Sequence, residues 1–205
     1  MTNPPTQHNE LAVPALNWQR WLLLALTATV LAHVLDPLAW KLTLPGVNDK
    51  DLGRLLRIQG FLPAWGLLAL AWWLEVGNPV RRRQGTLLLL LSPTLGGALA
   101  ELLKLFFRRL RPDPEHFGYA FRAFNDGLFS NRGMGLPSSH VLVACGGAFA
   151  LALLFPRARW LFYTLAAGCA ATRVLAHGHF LSDTVVAAAL AWPLVILLAR
   201  WIRSG

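Results

Sequence analysis

Charge is what this 205-residue chain has least of. Only 14% of its residues are Asp, Glu, Lys or Arg, while 55% are hydrophobic and the mean hydropathy is +0.46; a soluble domain would carry about 25% charge. The deficit and the long apolar runs exclude an ordinary soluble globule and point to an integral membrane protein. Acid is scarcer than base, 10 residues against 19, for a net charge of +9. The cations lie at the ends of apolar runs and form no basic stripe on a soluble face. The excess therefore speaks against nucleic acid and for an anionic substrate at a membrane. Cysteine is nearly absent as well. Cys145 and Cys169 both sit inside apolar segments and read as small buried hydrophobes, which leaves no disulfide framework and no thiolate metal site. No grouping of His, Asp and Glu suggests a metal either, so no metal or cofactor is expected. Internal repeats and low-complexity stretches are lacking, which leaves one domain.

What is present is a set of runs long enough to cross a bilayer, for which about twenty apolar residues are needed as helix. The candidates are roughly 18–40, 59–78, 86–107, 138–155, 160–178 and 181–201. Trp18, Trp21, Trp40, Trp160 and Trp201 fall near their ends, as an interfacial aromatic belt requires. Residues 1–17 read as a polar N-terminal tail, and the run starting at Trp18 reads as an anchor, not a cleaved leader. The expected fold is all-α: a polytopic bundle of six transmembrane helices over residues 18–205.

Three polar clusters border these runs: Lys104, six residues, then Arg111-Pro112; Pro137-Ser138-Ser139-His140; and Arg173, five residues, His179, three residues, Asp183. Alternation of the spans puts all three on one side. Arg20, Arg81-Arg82-Arg83, Arg157, Arg159, Arg200 and Arg203 lie on the other. The cluster side holds more cations in total, but several of those belong to the clusters, and the short Arg-rich turns mark the other side as cytoplasmic. The clusters would then face the periplasm or exterior, at the outer interface of a bacterial inner membrane.

Each cluster has an ordinary reading alone: snorkelling cations, a helix cap with an interfacial histidine, an Arg173–Asp183 ion pair. Each also has a chemical one. Ser138 and Ser139 open an apolar helix whose first N–H groups lack internal partners, a ready anion site with His140 in its first turn. His179 and Asp183, four apart on a helix, share a face, so the carboxylate can fix the ring tautomer and leave the other nitrogen free to attack. Lys104 and Arg111, seven apart, share a face if the helix continues, and Glu101 is placed to pair with Lys104. Arg108 and Arg109 read as snorkelling cations. Ionisable groups at apolar span edges are expensive, which favours function.

Taken jointly, the clusters resemble the type 2 phosphatidic acid phosphatase superfamily, membrane lipid phosphate phosphatases that share their site with vanadium haloperoxidases. The family pattern is Lys-x6-Arg-Pro, Pro-Ser-Gly-His and Ser-Arg-x5-His-x3-Asp. Here the order and spacings match over residues 100–185, with Ser139 in place of Gly and Thr172 in place of Ser. The resemblance implies His179 as nucleophile forming a phosphohistidine, Asp183 orienting it, and His140 as general acid and then base. It implies Lys104, Arg111, Arg173, Ser138 and the Ser139 N–H as the phosphate cradle. The substrate it implies is a lipid phosphate: undecaprenyl pyrophosphate, phosphatidylglycerol phosphate, phosphatidic acid or lipid A. Lipid-to-lipid phosphate transfer at the same site is the alternative, with transport of an anionic lipid ranked lower. The 108–136 segment, with His116, Tyr119 and several Phe, reads as a cap over the site or an ordinary interfacial loop. His177 reads as a loop residue. Oligomeric state is not legible.

Overall fold

The computed structural model describes residues 11, 13–42, 44 and 46–205; most of the expected N-terminal tail lies outside the described residues. Among the described residues seven helices follow in order: α1 (Trp18–Lys41), α2 (Asp51–Ile58), α3 (Leu62–Glu75), α4 (Pro79–Phe107), α5 (Ser139–Leu154), α6 (Arg159–Leu175) and α7 (Leu181–Ser204), with a 3-10 turn at Pro156–Ala158. The described residues contain no strand, only isolated bridges pairing Arg109 with Phe121 and Leu110 with Met134. Helix starts are set by local chemistry. Asn17 and Asn78 accept the Arg20 and Arg81 N–H groups at 3.1 and 2.9 Å, and Pro79 follows its cap directly.

The all-helical class is as expected, but the span pattern is coarser. By length and composition, α1, α4 and α7 can each cross a membrane, and α2 with α3, bent by 67°, forms a fourth candidate as a pair. The run expected at 59–78 is the 14-residue α3, preceded by a short amphipathic α2 that the sequence reading left in a loop. α5 and α6 are 16 and 17 residues, about 25 Å each at 1.5 Å per residue. Ser138 and Ala176–Gly178, counted into the expected spans, are not helical.

α5 lies at the centre, packed against α4, α6 and α7. Its small residues permit this: a Cβ on Gly147 would fall 2.3 Å from the Trp65 ring, and one on Gly146 would fall 2.8 Å from the Ser92 carbonyl oxygen. α1 is peripheral. Its Leu23, Leu24, Leu26, Val30 and Val34 are each more than 60% exposed, an apolar surface suited to lipid and costly in water. Residues 108–138 form a folded loop at one end of the bundle, tied by Leu110 N–H to Ala120 O (2.8 Å), Arg111 N–H to Gly133 O (2.9 Å) and Gly135 N–H to Arg109 O (2.7 Å).

Candidate active site

Lys104 comes from the last turn of α4. Its buried ammonium donates to Glu101 Oε1 at 2.7 Å and to Ser139 Oγ, and the Ser139 hydroxyl donates to the same carboxylate oxygen at 2.5 Å. Asn131 donates to Glu101 Oε2. The expected Glu101–Lys104 pair is thus present, and the Ser139 hydroxyl, standing where the family has glycine, is built into it. α4 does not continue to Arg111: it stops at Phe107, and Arg108 turns left-handed at φ 55°. Arg111 therefore reaches the site from the loop and not along a helix face.

Ser138 caps α5 without a side-chain capping bond. Its fully buried Oγ has no hydrogen-bond partner among the described residues, and neither has Arg173 Nε. His140, in the first turn of α5, packs on Gly60 and edge-on to Phe61 at the α2–α3 bend. His179, Arg173, Arg111 and Arg57 all lie within electrostatic reach of His140, and Arg173 and Arg111 within that of His179. Two imidazoles and the cations from three elements therefore form one electrostatic cluster, joined to Lys104 through Ser139. The orphaned buried donors on Ser138 and Arg173 suit an anion with several acceptor oxygens.

His179 sits between α6 and α7, only 2% exposed. Its Nδ1 lies 3.0 Å from the Gly135 carbonyl oxygen and 3.5 Å from Asp183 Oδ2. A carbonyl only accepts, so Nδ1 carries the proton and Nε2 keeps its lone pair. The direct hydrogen bond expected from Asp183 is thus made by Gly135, with Asp183 at the limit of range. Burial holds the His179 ring below the ordinary histidine value; Asp183 opposes this, and Arg173 and Arg111 add to it.

Asp183 is fully buried and engaged elsewhere. Oδ2 accepts the Phe180 N–H at 2.9 Å, and Oδ1 accepts from Arg109. Its ion-pair partner is Arg109, not Arg173. This corrects the snorkelling reading: Arg108 and Arg109 are 1% and 2% exposed. Arg108 donates to the carbonyls of Arg122, Ala123 and Asp126 and so anchors the loop. Sequence reasoning missed Arg109, Gly135 and Asp36. The available signal was Asp36 itself, a lone carboxylate inside an apolar run. His177 is a turn residue, stacked on Trp40 with its Nε2 2.8 Å from the Trp40 carbonyl oxygen. Thr172 donates back to Cys169 O at 2.7 Å. Among the described residues no cluster of metal ligands occurs.

The model of the PAP2 superfamily matches residues 85–204, which contain all three clusters. The chain belongs to the PAP2 superfamily. Two relatives extend the match beyond the family core. A lipid A 1-phosphatase of Rhizobium johnstonii is 29% identical over 215 residues, 95% of this chain and 85% of that protein. A lipid A 1-phosphatase of Rhizobium etli is 29% identical over 213 residues, 94% and 89% of the two chains. No solved structure matches the chain significantly. This PAP2 protein is accordingly a phosphatase, and its apolar helices make it an integral membrane protein.

Proposed function

We propose that this PAP2 protein removes phosphate from a lipid through a phosphohistidine on His179, with six spans and the site at the outer face of a bacterial inner membrane. The observation that carries the reading is the convergence of His179, with Nδ1 tied to Gly135 and Nε2 free, on His140, Arg111 and Arg173. In the first step the Nε2 lone pair forms a bond to phosphorus. The bond from phosphorus to the lipid oxygen breaks, and that oxygen takes a proton from His140. In the second, His140 removes a proton from water, which displaces the phosphoryl group from Nε2 and yields inorganic phosphate. Lys104, Arg111, Arg173, Ser138 and the Ser139 N–H hold the phosphoryl oxygens and stabilise their growing charge. The 108–136 segment caps this site. Lipid A is the first candidate substrate because both relatives carry that specificity in their names.

Phosphate release from lipid A, phosphatidylglycerol phosphate, phosphatidic acid and undecaprenyl pyrophosphate, measured in detergent with His179→Ala alongside, tests the reading. Release from one lipid, lost in the variant, supports it and names the class. Label transferred to a second lipid without free phosphate would replace hydrolysis by phosphotransfer. Release undiminished in the variant would remove His179 from the mechanism.

A further inference from the structure

Behind the catalytic pair lies a buried polar network centred on Arg109. One guanidinium nitrogen, Nη2, donates to Asp183 Oδ1 and to Ser182 Oγ at 2.8 Å; the other, Nη1, is 3.1 Å from His33 Nε2. His33 Nδ1 faces the Thr29 carbonyl oxygen at 3.0 Å, so Nδ1 is the donor and Nε2 the acceptor from Arg109. Ser182 in turn gives its N–H and hydroxyl to Asp36 at 2.9 and 2.5 Å, and the Tyr119 hydroxyl donates to Asp36 at 2.8 Å. The rings of Tyr119 and Phe180 each lie 5.2 Å from the Arg109 guanidinium carbon. Asp36, Arg109, Ser182 and Asp183 are all at most 2% exposed.

A buried carboxylate close to an imidazole favours the imidazolium, and an imidazolium has no lone pair with which to attack phosphorus. Asp183 stands 3.5 Å from His179 Nδ1, so left alone it would tend to protonate the nucleophile. Its charge is instead shared with Arg109, the nearest cation to it. We propose that Arg109 is a positioning residue for phosphoryl transfer: it fixes Asp183 and offsets its charge, so that His179 waits as a neutral nucleophile.

The inference rests on the phosphatase reading. The charged and titratable groups that bear on His179 from the surrounding elements are Asp183 from α7, Arg173 from α6, His140 from α5 and Arg111 from the loop. Asp36 from α1 and His177 line the same small cavity beside the ring. All of these remain when Arg109 is changed, so the change isolates its contribution.

The test is the pH dependence of kcat/KM for phosphate release from lipid A in detergent micelles, for the wild type, Arg109→Gln and Arg109→Lys. Loss of the charge should move the acid limb up by about one pH unit, a tenfold loss of rate on that limb. Arg109→Lys keeps the charge and should leave the limb in place at a lower plateau. A uniform loss of rate in Arg109→Gln with the limb unmoved would mean a structural staple only and overturn the proposal. Should Arg109→Gln fail to fold, the pair Arg109→Gln/Asp183→Asn loses both charges together. Its His179 titration, read by NMR as the histidine signal missing from His179→Ala, should stay within about half a unit of the wild type. A titration well below the wild type would show that Asp183 had been acting unopposed, which also overturns the proposal. A wild type that releases no phosphate sinks the phosphatase reading instead, and the NMR titration still decides the role of Arg109.

Discussion

Asp183→Asn is the perturbation whose consequence the structure changes most. The motif alone predicts a catalytic defect, because the carboxylate would orient His179. The structure adds a cost in stability, because the mutation strands Arg109. That guanidinium is 2% exposed, and its other partners, Ser182 and His33, carry no carboxylate. Removing one member of a buried pair costs about 3–5 kcal/mol, since the remaining charge keeps its desolvation penalty without its attraction. Against a total stability of about 5–15 kcal/mol this is a large fraction. Removing both charges in Arg109→Gln/Asp183→Asn leaves two amides able to bond each other, so the pair should lose less than Asp183→Asn alone. A coupling of about 1–3 kcal/mol is expected from the double-mutant cycle. The assay is unfolding by SDS titration in mixed micelles, followed by circular dichroism, on the wild type, both single variants and the pair. If Asp183→Asn is as stable as the wild type, or the two single losses simply add, Arg109 and Asp183 are not the coupled buried pair described above.

Three further outcomes are expected. Because His179, as the proposed nucleophile, would have to be neutral, and burial holds it below the ordinary value of 6.5, kcat/KM should hold steady as pH falls through 6.5 and drop only below it. An acid limb at or above 6.5 refutes the burial argument. Ser139→Ala removes the hydroxyl that bonds both Lys104 and Glu101 beside their direct ion pair and should lower kcat/KM by about tenfold, the worth of one charge-assisted hydrogen bond; an unchanged value shows that hydroxyl to be idle. Vanadate, which adopts the five-coordinate geometry of the transferring phosphorus, should compete with the lipid, and a chelator should leave the rate unaltered. Resistance to vanadate, or sensitivity to the chelator, would each count against a metal-free phosphohistidine route.

The all-helical class and the Glu101–Lys104 pair were legible in the sequence, and the support around His179 was not. The Lys104–Glu101 pair follows from helical spacing at three residues, but His179 and Asp183 do not share a helix face: His179 lies in the turn before α7, and the capping turn at Phe180 brings the two within 3.5 Å. Arg109 could not be told from Arg108 by spacing. Both lie just past an apolar run and both are buried, and which one meets Asp183 is decided by the left-handed turn at Arg108 and the hydrogen bonds that fold residues 108–138 back on themselves. Asp36 was hidden differently: its partners Ser182 and Tyr119 are 146 and 83 residues away, a separation no local pattern encodes. α2 escaped because Asp51, Arg54 and Arg57 make the segment look like a polar linker, although Leu52, Leu55 and Leu56 carry the helical period.

The route of the chain through the 108–136 segment gives this arrangement a mechanical logic. The segment enters beside Arg109, whose side chain holds Asp183, and leaves at Gly135, whose carbonyl holds His179. The two ends are joined to each other, since the Gly135 N–H donates to the Arg109 carbonyl at 2.7 Å. A Cβ on Gly135 would lie 2.9 Å from Asp183 Oδ2, so only glycine lets the backbone approach this closely. The histidine and the aspartate are therefore gripped by the two ends of one loop, while its middle is anchored by Arg108 and rests on α1 through Tyr119 and Asp36. A displacement of the loop by a bound head group would reach both members of the pair through a single backbone hydrogen bond. Gly135→Ala tests that geometry directly. It should reduce kcat more than it raises KM, because the added methyl group presses first on Asp183 Oδ2, beside His179, and meets the Arg111 backbone only at 3.5 Å. A change confined to KM would place the loop's role in binding the head group and not in aligning His179.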